Sequence, residues 1–207
     1  MIAYASRTGT KRNLDGLRRA GWRLMISPKG SLRTEGFEHY ALDNGAWHAY
    51  QHGIDFDVEA FEKALDALGD NADFIVVPDI VAHGFRSLEY SAEWLHRLHE
   101  YPRLMFAVQD GMAREDVSKL IEPHLPRVGI FVGGTTEWKL NTMAMWAFLA
   151  HEMRTTCHVG RVNSAFRIRA CAAAGVDSFD GSNPSRYAVN LGALDCCRRI
   201  ADMYAPS

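Results

Sequence analysis

Apolar positions along the chain fall into eight short runs separated by longer amphipathic stretches. The runs are IAYAS (2–6), WRLMIS (22–27), HYALD (39–43), FIVVPD (74–79), RLMFAVQ (103–109), VGIFVGG (128–134), TCHVGR (156–161) and VDSFDGS (176–182). Each is five to seven residues long and rich in β-branched or aromatic side chains, which is the signature of a strand buried on both faces. Helical periodicity predicts helices over about 11–20, 57–69, 87–100, 113–123, 137–153, 163–174 and 185–203, with Ser87 and Asn163 as N-cap candidates. Strands alternating with helices give right-handed crossovers on a parallel sheet, and eight of them predict a compact (β/α)8 barrel, a single domain over 1–207. An open doubly wound sheet follows instead if the weak third and eighth runs are not strands.

Nearly every run ends in a polar or glycine residue: Asp43 and Asn44, Asp79, Gln109 and Asp110, Gly133 and Gly134, Arg161, Asp180. A lone Asp after a strand is commonly a turn or cap residue. Six such ends in series are different, because the C-terminal ends of barrel strands converge on one mouth.

Composition adds limits. The chain has 207 residues, 47% hydrophobic and 23% charged, with a net charge of −2, values that exclude a disordered or collagenous protein. No apolar run reaches the roughly 18–20 residues of a membrane span, and the N-terminus carries charge where a signal peptide is apolar, so a cytoplasmic protein without a membrane partner is expected. Cys157, Cys171, Cys196 and Cys197 show neither CxxC spacing nor a disulfide pattern and read as buried small hydrophobes, with no metal site expected. The charge is uneven. Residues 1–33 hold eight basic residues against the single acid Asp15, a local +7 that leaves −9 for the remainder. Such a segment suits contact with a polyanion, or a solvated helix face. Oligomeric state is left open.

Three carboxylates at one mouth, Asp43, Asp79 and Asp180, raise one another's pKa, so one can donate a proton while another stays ionised. That suits attack on a sugar carbon. The same three acids could instead hold Mg2+, as in a phosphohydrolase or aldolase-type barrel. Gln109 and the backbone of Gly129 and Gly133 fit the edge of a planar heterocycle better than a metal, and Trp47 offers a stacking face or a core ring.

The run GVDSFDGSNPSR (175–186) resembles the nucleophile motif of the tRNA-guanine transglycosylases. LDNGAW (42–47), VVPDI (76–80), FAVQDG (106–111) and VGIFVGG (128–134) are similar, in order, to that family's other base-pocket segments. The resemblance spans about residues 40–190 and implies a (β/α)8 barrel. It also implies Asp180 as covalent nucleophile on C1′ and Asp43 as general acid/base. Asp79, Asn44, Gln109 and the backbone at Gly129 and Gly133 would hold the base, Trp47 would stack on it, and no cofactor is implied.

The departures shape the expected substrate. Nothing after residue 190 can form the family's zinc subdomain, since Cys196 and Cys197 are adjacent and no His follows. Gly134 stands where the family has a glutamate that answers a cationic base, which predicts a roomier pocket without that charge. These changes favour DNA over tRNA, and base removal by a DNA glycosylase acting on a modified base, as in defence against phage. The alternatives are base exchange that inserts a 7-deazaguanine-type base, the Mg2+-dependent barrel, and a silent nucleic-acid-binding barrel. The target must be flipped out or single-stranded. Its phosphates are expected at Arg7, Lys11 and Arg12 after the first strand, and at Arg161 and Arg186 after the seventh and eighth.

Overall fold

The structure is a computed structural model that describes residues 1–7 and 10–203. Eight parallel strands close in sequence order: β1 (Ile2–Ser6), β2 (Arg23–Ile26), β3 (Tyr40–Leu42), β4 (Ile75–Val76), β5 (Leu104–Val108), β6 (Val128–Val132), β7 (Cys157–Val159) and β8 (Ser178–Gly181). Closure is made by β1 pairing with β8, Tyr4 opposite Asp180 and Ala5 opposite Gly181. The fold is the expected (β/α)8 barrel, not an open sheet, and all eight apolar runs contain a strand.

The two-residue period sorts the strands' side chains. Outward positions such as Leu24, Leu42, Phe106, Ile130 and Val159 pack beneath the helices in the main core. Inward positions form a second cluster of Tyr4, Met25, Ala41, Phe74, Val76, Met105 and Ala107, with Phe131 against it. The lumen is filled with rings. His158 stacks on Phe131 at 4.9 Å and meets Phe74 and Tyr4 edge-on at 5.0 and 5.7 Å. At the N-terminal end Asp73 accepts from the Tyr4 hydroxyl and from Arg23 Nη1, both at 2.9 Å, and polar chemistry thereby closes the floor.

The surrounding helices are α1 (Lys11–Arg19), α2 (Ala46–His52), α3 (Val58–Leu68), α4 (Gly84–Arg97), α5 (Arg114–Ile121), α6 (Thr136–Glu152), α7 (Ala165–Ala173), α8 (Asn183–Arg186) and α9 (Leu191–Met203). Three differ from expectation. α2 is additional, seven residues held between the left-handed glycines Gly45 (φ +82°) and Gly53 (φ +60°). The helix expected over 185–203 is two, because Tyr187 takes a non-helical backbone (φ −127°, ψ 81°) after the Pro184-initiated turn. Ser87 is no cap: it is buried inside α4, and its Oγ accepts from Ile80 N–H at 3.0 Å. The crossover over residues 27–39 carries no helix.

Candidate active site

The strand ends line a cavity of about 410 Å³ at the C-terminal mouth. Asp43, Asn44, Asp79, Gln109, Gly133 and Asp180 all face it, as do Trp47 from α2 and Arg161 from the end of β7. Gly129 does not. It sits at the start of β6 opposite Met105, where an added Cβ would lie 2.7 Å from the Met105 sulfur, so the backbone expected to touch a base is deep in the barrel wall.

On one side of the mouth Asn44, Asp79 and Gln109 form a buried cluster that ties together the ends of β3, β4 and β5. Asn44 Nδ2 donates to Asp79 Oδ1 at 2.7 Å and to Val77 O at 2.9 Å. Gln109 Nε2 donates to Asp79 Oδ2, while its Oε1 accepts from Ala82 N–H at 2.6 Å. Both ends of the Gln109 amide are thus occupied within the protein. Burial pushes the Asp79 carboxyl up to about 6, against the hydrogen bonds from Asn44 and Gln109 and the nearby Arg161 cation. Asp43 has no such donors beyond the backbone N–H groups of Asn44 and Gly45. Burial, followed by the charges of Asp180 and Asp79, raises its carboxyl to about 7. The site therefore holds an acid that exchanges its proton near neutrality.

Across the mouth stands Asp180. Its Oδ2 lies 3.2 Å from His158 Nε2 and accepts from Arg161 N–H at 3.3 Å. Close approach here depends on glycine: a Cβ at Gly160 would meet Phe131 at 2.6 Å and Asp180 Oδ2 at 3.3 Å. Arg161 adopts the left-handed φ of +59° that is costly for a side-chain-bearing residue. Its guanidinium donates to Gly134 O and lies 3.8 Å over the Trp47 ring. Beneath it, Lys139 of α6 is buried and donates to Gly160 O at 2.5 Å. Burial, reinforced by Arg161, lowers its ammonium to about 7.

Asn163 caps α8 and not α7. Its Oδ1 accepts from Ser182 N–H at 2.8 Å and Asn183 N–H at 2.9 Å, whereas Ser164 caps α7. Arg186 and Arg167 also line the mouth, beside Arg161. Arg167, His158 and Lys139 are absent from the sequence expectation. The legible signal for His158 is a polar residue at the centre of the three-residue strand CHV, whereas Lys139 stands among Glu137, Asn141 and Thr142 and gives none.

Four of the eight basic residues of the N-terminal segment are paired within the fold. Arg7 pairs with Glu35, Arg18 with Asp15 at 2.8 Å, Arg23 with Asp73 and Lys29 with Asp57. Arg7, expected at phosphate, is half-buried against Glu35 and does not line the cavity. Lys11 and Arg12 are exposed at the start of α1 and outside the cavity. Gly134 leaves no extra room either. A Cβ there would lie 2.4 Å from Asp110 Oδ2 and 2.8 Å from Trp138, so those two side chains fill the space expected to be vacant. Two cysteines depart from expectation as well: Cys157 and Cys171 are buried, but Cys196 is exposed and Cys197 half-exposed.

Among the described residues, no three His, Cys, Asp or Glu side chains are gathered so as to hold a metal ion, and the acids of the mouth are no exception. No helix is long and apolar enough to cross a membrane. The chain matches no protein-family model, and no curated protein matches it.

Proposed function

We propose that this barrel cleaves an N-glycosidic bond in nucleic acid, with DNA preferred to tRNA, through a covalent intermediate on Asp180. The observation that carries the reading is the pairing of two carboxyls in unlike settings in one cavity: Asp180, whose Oδ2 accepts the Arg161 backbone N–H and lies beside His158 Nε2, and Asp43, raised to about 7. On this reading Asp180 is the nucleophile and Asp43 is the acid that protonates the departing base.

Asp180 attacks C1′ of a flipped or single-stranded nucleotide, and the bond from C1′ to the ring nitrogen breaks. The electron pair leaves with the base, which takes a proton from Asp43. Asp43, now ionised, removes a proton from water. The resulting hydroxide attacks C1′ and frees Asp180, giving an abasic sugar with retained configuration after two inversions. If a second base gives its N–H proton to Asp43 in place of water, the outcome is exchange. Trp47 supplies a stacking face for the base, and Arg161, Arg167 and Arg186 supply cations for the flanking phosphates. A modified base as target, and a role in defence against phage with modified DNA, complete the reading.

The test is incubation with single- and double-stranded DNA, plain and modified, and with tRNA, followed by mass spectrometry for released base and an aldehyde probe for abasic sites. Release of base by the wild type, abolished in Asp180→Asn, supports the proposal. Absence of release and of exchange on every polymer overturns it.

A further inference from the structure

The ring of His158 is completely buried in the lumen, yet both of its nitrogens are engaged. Nε2 lies 3.2 Å from Asp180 Oδ2, and Nδ1 lies 2.8 Å from the hydroxyl oxygen of Ser178, itself 5% exposed. A neutral imidazole has one donor nitrogen and one acceptor. A nucleophilic Asp180 is a carboxylate that only accepts, and beside it a neutral ring carries its hydrogen on Nε2 and accepts at Nδ1. The one partner that can then satisfy Nδ1 is the Ser178 hydroxyl, acting as donor. Ser178 and His158 thus form a directed chain that ends on one particular oxygen of Asp180.

That oxygen also receives the Arg161 backbone N–H at 3.3 Å, whereas among the described residues no hydrogen bond is made to Oδ1. We infer that Ser178 and His158 are positioning residues that hold Asp180 by Oδ2 and leave Oδ1 as the attacking atom. This rests on the reading of Asp180 as nucleophile given above. His158 is fixed from its faces as well, stacked on Phe131 at an interplanar angle of 19° and flanked by Phe74 and Tyr4, so the chain has little freedom to swing. A nucleophile aligned in this way loses rate when its support is removed even if the substrate still binds.

The first measurement is long-range 15N–1H correlation NMR on the uniformly labelled full-length protein, which reads the tautomer of His158 without any substrate. The expected result is a neutral ring with Nε2 protonated and Nδ1 bare. Protonation at Nδ1, alone or at both nitrogens, overturns the inference. The second compares Ser178→Ala, Ser178→Thr and the ring-conserving His158→Phe in single-turnover formation of the Asp180 adduct and in DNA binding. Ser178→Ala and His158→Phe should slow adduct formation by up to about 100-fold with binding nearly unchanged, and Ser178→Thr should restore the rate. Equal rates in Ser178→Ala and wild type also overturn it. If the wild type forms no adduct with any polymer, the glycosidic reading fails, while the tautomer still decides whether the chain of hydrogen bonds exists.

Discussion

The Arg161 guanidinium carbon lies 3.8 Å from the centre of the Trp47 indole, so a loop after β7 and the first helix after β3 meet across the mouth of the barrel. One face of the ring is therefore already covered by a planar cation, and a nucleobase must take the other face or replace the guanidinium. In an Asp180→Asn background, which under the proposed mechanism blocks turnover, Trp47→Ala should weaken the proposed DNA binding by about 1–3 kcal/mol, and Trp47→Phe by less. Equilibrium binding by anisotropy reads this directly. Unchanged binding in Trp47→Ala would assign the ring to packing alone.

Asp43 makes stability depend on pH in a definite direction. Its carboxyl rises from an ordinary 3.8 to about 7 on folding, so the folded state holds the proton more tightly than the unfolded chain. Its contribution is most favourable below pH 4 and declines as pH rises from about 4 to about 7. Asp43→Asn should flatten that slope and raise the melting temperature at pH 8. Asp79→Asn should lower it, because an amide cannot accept from both Asn44 and Gln109. Thermal denaturation of the two variants between pH 4 and 8 checks the contrast.

Lys139 gives the opposite slope. Its ammonium falls from an ordinary 10.5 to about 7, so the unfolded chain holds that proton more tightly and stability should climb between about pH 7 and pH 10.5. In Lys139→Met this climb should disappear. Urea unfolding at pH 6.5 and pH 9.5 gives the comparison, and an undiminished slope would place the effect elsewhere.

Gly134 should tolerate no side chain. Its φ is +71°, and an added Cβ meets Asp110 and Trp138 at 2.4 and 2.8 Å. Gly134→Ala should cost roughly 1–3 kcal/mol for overpacking and about 1–2 kcal/mol for the left-handed backbone. Asp110→Ala should recover part of that loss when combined with it, as measured by denaturant midpoints. Equal stability of the two Gly134→Ala chains, with and without Asp110, would show that the backbone alone carries the effect.

The strands were legible because a parallel barrel strand is buried on both faces and so reads as an unbroken apolar run. The mouth was legible for a related reason: polar residues at Asp43, Asp79, Gln109, Arg161 and Asp180 interrupt those runs at corresponding ends. What escaped depends on partners distant in sequence. Arg7 looks free until Glu35 is brought against it by the fold. Gly129 and Gly133 are alike in the sequence, but Gly129 lies in the wall near the start of β6 while Gly133 follows its end and lines the cavity. His158 shows only as a polar residue in a short strand and Lys139 as one of several polar residues of α6, and their meaning comes from Asp180 and Gly160 arriving beside them. The short helix α2 owes its limits to two glycines and not to an amphipathic period.

The ring-filled lumen and the Tyr4–Arg23–Asp73 floor have a kinetic consequence for the proposed reaction. A base detached inside the mouth has no rear exit. It must leave past the sugar still bonded to Asp180 or wait until that bond is broken. While it waits it can return to C1′, so added free base should slow net cleavage and incorporate label into the polymer, and the balance between removal and exchange is set by which of water or base reaches C1′ first.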